Sequence, residues 1–306
     1  MGKTEHEFTA DDGVKIVYYK HAAEDAKASV IIVHGMAEHA QRYDEFADFL
    51  SKNGFNVYAY DQRGHGKTAG SIEKLGFFAE KEGWNKVTAD LKKMIERVKS
   101  DSPGLPVFLL GHSMGTFVVR TYIADYNDEV NGVLLSGTAG SAGLLGKAGI
   151  LLTELIMLFK KKDSPSPLMN AMSFGDFNKA FKPNRTDFDW LCRDDKKVDE
   201  YVNDPFCGAV FSAGFYNDML KGLEYVNKKD TASKVRKDLP MYLFAGDKDP
   251  VSKNAKGVKE VYDMYKDAGI SDITVKLYPD ARHECLNEIN RDEVYEDVLK
   301  WINSKL

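Results

Sequence analysis

The chain has 306 residues, 43% of them hydrophobic and 29% charged, with a formal net charge of −5. That length can bury a large core, either as one big domain or as a core carrying an insert. A net-negative chain without a basic stripe excludes nucleic acid as an expected partner. Three cysteines, Cys192, Cys207 and Cys285, are scattered and odd in number. They show no C-x-x-C or Cys/His spacing, so reduced thiols in a cytoplasmic setting are expected and a zinc site is not. Met1 to Phe8 hold no apolar leader stretch, and Lys3 and His6 do not suit myristoylation of Gly2.

Glu5 to Thr9 and Val14 to Lys20 read as two strands joined by Ala10-Asp-Asp-Gly13, a hairpin signal. Ser29 to Val33 is wholly apolar after its first residue, as a central parallel strand buried on both faces requires. It runs into His34-Gly35-Met36-Ala37-Glu38-His39. Phe46, Phe49 and Leu50 mark a helix from Arg42 to Lys52, stopped by Asn53-Gly54. Phe55 to Tyr60 is the next strand and leads to Asp61-Gln-Arg63-Gly64-His65-Gly66. Trp84, Val87, Leu91, Met94, Ile95 and Val98 share one face of a helix from Trp84 to Val98.

Val107 to Leu110 is a further buried run. It ends in Gly111-His112-Ser113-Met114-Gly115, and an apolar helical pattern with Phe117, Val118 and Val119 follows. This is G-x-S-x-G between a strand and a helix, the nucleophile elbow. A serine on so sharp a turn has its hydroxyl clear of neighbours. Gly111 and Gly115 flank it because a Cβ would crowd strand against helix. The helix also aims free N–H groups and its positive end at the reacting centre, where negative charge develops. The alternative role for Ser113 is a plain helix cap.

The alternation of strand and helix breaks after the strand Val133 to Ser136. From Gly137 to about Lys237 there is no clear buried strand. Leu144 to Phe159 is strongly apolar, is too short to span a membrane, and ends in Lys160-Lys-Lys162. This section reads as a helical cap over the strand ends. The sheet resumes at Leu239 to Ala245, followed by Gly246-Asp247-Lys248-Asp249-Pro250. A helix with Val258, Val261, Tyr262 and Tyr265, the strand Ile273 to Tyr278, Arg282-His283-Glu284 and a helix from Val294 to Leu306 complete the chain. Ligands of such sheets sit beyond the carboxyl ends of the strands, where His34-Gly35, Gly64-His65-Gly66 and Ser113 gather.

The blocks His34 to His39 with Arg42-Tyr43, Asp61 to Gly66, Gly111 to Gly115, and Gly246 to Pro250 with His283 together resemble the α/β-hydrolase fold. They look most like its monoacylglycerol lipase, lysophospholipase and serine-aminopeptidase-like branch. The resemblance implies a mostly parallel eight-stranded sheet flanked by helices. It implies a core in two parts, residues 1–137 and 238–306, the second carrying the acid and the histidine, around an inserted helical cap at 138–237. Thr68 stands where the family usually has serine.

The order Ser…Asp…His is that of the family. Ser113 needs a base, and the resemblance points to His283. It also favours Asp249, beside Pro250, as the group orienting the imidazole, with Asp247 as its rival. One oxyanion N–H is expected from Met114, the residue after the nucleophile. The resemblance assigns the other to Met36.

His34, His39 and His65 lie on the active edge without H-x-x-x-H or H-E-x-x-H spacing, so no metal is expected. The resemblance makes them loop braces beside Gly35, Gly111 and Gly115. His112 is the variable elbow position, and His6 and His21 are expected at the surface. In the cap, the apolar residues of 144–159 and Phe177, Phe181, Phe206 and Phe211 are expected to divide about equally. One half makes the cap's own core, the other an acyl-chain tunnel or a face for transient contact with a membrane surface.

The expected function is a cofactor-free serine hydrolase acting on small esters with an apolar acyl chain, of monoacylglycerol or lysophospholipid type, through an acyl-enzyme. An aminopeptidase of the same superfamily and a non-catalytic ligand-binding protein retaining the fold are the alternatives. Dehalogenase or epoxide-hydrolase chemistry would want aspartate at position 113. The sequence sets no oligomeric state.

Overall fold

The computed structural model describes residues 2–126 and 130–306; Met1, Asn127, Asp128 and Glu129 lie outside them. The chain opens with a hairpin, β1 (Lys3–Thr9) and β2 (Lys15–His21), turned by Gly13 at φ +85°. It continues through β3 (Ala28–Val33), α1 (Asp44–Lys52), β4 (Phe55–Tyr60), α2 (Gly83–Asp101), β5 (Val107–His112), α3 (Met114–Asp125) and β6 (Gly132–Ser136). Then come α4 (Gly143–Phe159), α5 (Pro167–Phe174), α6 (Asp195–Asn203), α7 (Ala213–Val226) and α8 (Lys229–Lys234). The chain ends with β7 (Met241–Gly246), α9 (Lys256–Asp267), β8 (Ile273–Tyr278) and α10 (Arg291–Asn303).

Among the described residues, eight strands form one sheet in the order β1-β2-β4-β3-β5-β6-β7-β8. Only the β1–β2 and β2–β4 pairs are antiparallel. The α/β-hydrolase sheet expected from the motifs is therefore present. β3 to β7 are buried along their whole length, which explains their largely apolar composition. α1 and α10 cover one face through Phe46, Leu50, Val294 and Trp301, packed with Val30 and Ile32. α2, α3, α7 and α9 cover the other through Val87, Leu91, Val118, Phe215 and Val258, packed with Ile31 and Val33.

Local chemistry sets the ends. Asp44 and Glu45 occupy the first turn of α1 and suit its positive end, and Gly54 at φ +86° follows its last residues. α1 starts at Asp44 rather than Arg42 because Ala40–Tyr43 forms a separate 3₁₀ turn, held where Asp61 accepts the Ala40 N–H at 2.9 Å. Ser166, Asp194 and Ser212 cap α5, α6 and α7 with side-chain oxygens. Thr68 keeps a hydroxyl where the family has serine, and it accepts the Val17 N–H at 2.9 Å.

The cap occupies the whole stretch between β6 and β7, with only the single bridge Pro165–Ser212 in place of a strand. Its second half is grafted onto the core, since Phe215, Tyr216 and Leu223 of α7 belong to the main apolar cluster. Its first half is not. On α4 only Gly149 and Thr153 are buried, whereas Leu144, Leu151, Leu158 and Phe159 are 84%, 67%, 77% and 82% exposed. No helix among the described residues is long and apolar enough to cross a membrane.

One expectation fails on the opposite edge. His21 is 2% exposed, not a surface residue like His6. Its ring reaches Asp48 at 2.7 Å and Asp44 at 3.2 Å, both on α1. The enclosure comes from a helix that begins more than twenty residues later, which no local pattern announces.

Gly115 lies where α3 crosses β3, and a Cβ there would overlap the Val33 carbonyl oxygen. Backbone on both sides leaves nothing that can move aside. Gly115→Ala is expected to cost about 3 kcal/mol of folding stability. Denaturant unfolding of the variant beside wild type measures it; an unchanged midpoint would show the approach to be looser than described.

Candidate active site

Ser113 sits between β5 and α3 at φ +51°, ψ −121°, a conformation that a non-glycine residue adopts only when its surroundings impose it. The surroundings are specific. The Ser113 N–H donates to the Ser136 carbonyl at 2.9 Å, and its own carbonyl accepts from the Thr116 hydroxyl at 2.6 Å. A Cβ on Gly111 would stand 2.8 Å from the Gly115 carbonyl oxygen, and one on Gly35 would stand 3.1 Å from the Ser113 Cβ. The three glycines thus let three loops converge on one hydroxyl.

Asp249 follows β7 and His283 follows β8. The two meet at 2.9 Å, His283 Nδ1–H donating to Asp249 Oδ1, which also accepts the Val251 N–H at 2.9 Å. Asp249 is fully buried and its Oδ2 has no partner among the described residues. Asp247 is turned to other work, accepting the Asp280 N–H at 2.8 Å and pairing with Lys248. Of the two aspartates, it is Asp249 that reaches the histidine. Burial pulls the His283 pKa down. The charge and hydrogen bond of Asp249, helped by Glu284 and Glu38, outweigh it and leave the pKa raised. Next to it, His112 packs its ring 4.7 Å from the His283 ring. Burial first, and then the His283 charge, push His112 down to about 4, so it stays neutral.

With Nδ1–H committed to Asp249, Nε2 is the free acceptor of His283. His283 and Ser113 line one cavity of about 700 Å³, together with Met36 and Met114. Neither Met36 N–H nor Met114 N–H has an acceptor among the described residues, whereas the neighbouring Gly35 N–H is taken by Glu38 at 2.6 Å. Farther out, the cavity wall is apolar, with Phe117, Leu145, Met172, Phe177, Trp190 and Met219. Of the four cap phenylalanines singled out in the sequence, Phe177 alone lines it. Phe181 stacks on Arg282, Phe206 meets His39 edge-on, and Phe211 joins the core beside His65.

The other histidines hold loops together. His34 Nδ1–H donates to the Gly35 carbonyl at 2.7 Å and its Nε2 accepts the Gln62 N–H at 3.0 Å. His65 Nδ1–H donates to the Arg63 carbonyl at 2.8 Å. Burial lowers both pKa values, to about 3 for His34. His39 reaches across to the cap, 2.8 Å from Asp204. With Cys207 these make the one trio of potential metal ligands among the described residues. Burial pushes the Cys207 thiol up.

Sequence reasoning gave no role to the charged group that ties these loops together. Arg42 donates to both oxygens of Glu284 at 2.5 and 2.7 Å and to Glu38 at 2.9 Å. Tyr43 adds a bond to Glu38 at 2.9 Å. Burial would raise the Glu284 pKa, but the Arg42 charge holds it at about 2. The cap completes the network. The Arg42 guanidinium lies 4.8 Å over the Tyr201 ring, and the Tyr201 hydroxyl donates to the Ala37 carbonyl at 2.9 Å. Trp190 packs its ring 5.4 Å from His283, and its carbonyl accepts the His283 N–H at 3.5 Å. The signal in the sequence was unpaired charge inside apolar motifs, Glu38 and Arg42 on one side and Glu284 beside His283 on the other.

Residues 24–290 match the model of a family described as serine aminopeptidase, S33. The chain belongs to that family. It is similar to a monoacylglycerol lipase of Mycolicibacterium smegmatis, 30% identical over 99% of this chain and 98% of that protein. It is also similar to a monoglyceride lipase of Rattus norvegicus, 27% identical over 98% of this chain and 88% of that one. Among solved structures, a thermostable carboxyl esterase from Bacillus coagulans, in complex with glycerol, superposes with a TM-score of 0.92 at 28% identity over 99% of each chain.

The buried pair fixes how the site titrates. In an NMR titration, His283 should change charge above its ordinary value of 6.5, while His112 stays neutral down to about 4. Asp249→Asn removes the stabilising charge, so the His283 midpoint should fall by one unit or so. A midpoint unmoved by that substitution would mean that Asp249 does not control the imidazole.

Proposed function

We propose that this carboxylic ester hydrolase cleaves monoacylglycerol- or lysophospholipid-type esters through an acyl-enzyme on Ser113. The observation that carries the reading is the cavity: it begins at Ser113 and His283 and continues as an apolar space of about 700 Å³ beneath the cap. A medium or long acyl chain suits such a space. His283 Nε2 takes the Ser113 proton as the hydroxyl attacks the ester carbonyl, and Asp249 steadies the imidazolium that forms. The Met36 and Met114 N–H groups, free of other acceptors, receive the developing oxyanion. The imidazolium returns its proton to the departing alcohol. Water activated by the same histidine then releases the acid and restores Ser113. None of these steps calls for a cofactor.

In this reading the core is residues 1–137 and 238–306 and the cap is 138–237. Substrate enters beneath the cap from a surface on which α4 rests. Its exposed leucines and Phe159, next to Lys160-Lys-Lys162, suit brief contact with an anionic membrane face. Three unpaired cysteines fit a cytoplasmic setting. The family's description gives weight to a second reading, aminopeptidase activity, which needs a free carboxylate for the substrate ammonium. Of the carboxylates that line the cavity, Glu38 and Glu284 are committed to Arg42 and Asp176 pairs with Lys179, which leaves Glu260 as the candidate and favours the ester.

Hydrolysis of p-nitrophenyl esters from acetate to palmitate separates these readings. The rate should peak at medium or long chains and drop at least about 10⁴-fold in Ser113→Ala. Cleavage of aminoacyl p-nitroanilides without ester cleavage would transfer the assignment to the peptidase. For the membrane face, Leu158→Ser/Phe159→Ser should weaken co-sedimentation with anionic vesicles about tenfold or more. Wild-type protein that stays in the supernatant would dispose of that contact.

A further inference from the structure

Arg120 lies on α3, about two turns beyond Ser113, and is fully buried. A buried guanidinium is normally matched by a carboxylate, because its charge cannot be shed. Here no acidic side chain pairs with it among the described residues. Its partners are four neutral oxygens from two distant segments. Nη1 donates to Thr138 Oγ1 at 3.3 Å and to the Ala139 carbonyl at 3.1 Å. Nη2 donates to the Val226 carbonyl at 2.9 Å and to Asn227 Oδ1 at 2.9 Å. The Tyr265 ring lies 5.8 Å from the guanidinium carbon.

The two segments are the first stem of the cap and the end of its core-packed helix α7. Thr138 and Ala139 are where the chain leaves β6 for the insert, and Ala139 lines the cavity. Val226 is the last residue of α7, so its carbonyl belongs to the negative end of that helix. The cation therefore finds its counter-charge in a helix terminus. The Thr116 hydroxyl lies 2.9 Å from Thr138 Oγ1 and 2.6 Å from the Ser113 carbonyl, which extends the contact to the elbow.

We propose that Arg120 is a positioning residue that clasps the first stem of the cap and the end of α7 to the elbow helix and thereby fixes the cap over the acyl-chain cavity. It does not touch the reacting atoms. The claim about the acyl chain rests on the ester-hydrolase reading above; the claim about the cap does not. Lysine would keep the charge but cannot reach four acceptors in two directions at once.

The test compares wild type, Arg120→Lys and the milder Asn227→Ala by hydrogen exchange and by hydrolysis of p-nitrophenyl acetate and decanoate. In Arg120→Lys, exchange across 138–226 should quicken about tenfold while β3 to β7 stay protected. The decanoate kcat/KM should fall about tenfold, mainly through KM, with acetate changed by less than about twofold. Asn227→Ala, which removes one arm, should show the same pattern at smaller size and serves alone if the lysine variant does not fold. Protection lost evenly across the protein, or not at all, overturns the clasp, as does a parallel fall on both esters. Wild-type protein inactive on both esters would remove the ester reading while leaving the exchange result to decide the clasp.

Discussion

The close approach of three backbone segments at Ser113 is the constraint on which the rest of the site depends. A serine at φ +51° is costly in isolation, on the order of 1–3 kcal/mol. It persists because β5, α3 and the loop after β3 leave it no alternative. Gly35, Gly111 and Gly115 are where that crowding would otherwise become overlap. The strain is thus held by the buried parallel strands β3 to β7, which supply the energy that one turn cannot.

Around that turn the molecule places ionic groups where burial alone would forbid them. Arg42, Glu38 and Glu284 join the loop after β3 to the loop carrying His283, with Tyr43 and Tyr201 filling the remaining contacts. Breaking a pair of this kind leaves an uncompensated buried charge and typically costs about 3–5 kcal/mol. The same carboxylates add to the field that keeps His283 basic. One network therefore sets both loop geometry and histidine charge. Nothing in the chemistry of an acyl transfer demands that the two be coupled, yet here a change in one must move the other.

How much of this could be read from the chain depends on distance along it. The sheet was legible because β3, β4 and β5 are short and apolar apart from Ser29, Asn56 and His112, and because glycine-flanked Ser113 follows one of them directly. Asp249 and His283 were legible only through motif order, since 34 positions separate the two members of their hydrogen bond. The Arg42–Glu284 contact spans 242 positions and has no periodicity to betray it. His21 was misread for the same reason. The cap was legible as apolar and helical but not in its detail. Its aromatic residues divide among cavity, core and loop contacts according to a packing that no repeat length encodes.

Trp190, tilted beside His283, gives the imidazole a spectroscopic neighbour. Protonated imidazole quenches indole emission by accepting an excited-state electron, whereas neutral imidazole does so weakly. An indole ring 5.4 Å from the histidine, shielded from solvent at 6% exposure, is placed to register that change in brightness. The cap has thus set an optical reporter against the imidazole. Its ionisation should appear in the intrinsic fluorescence of an unlabelled protein.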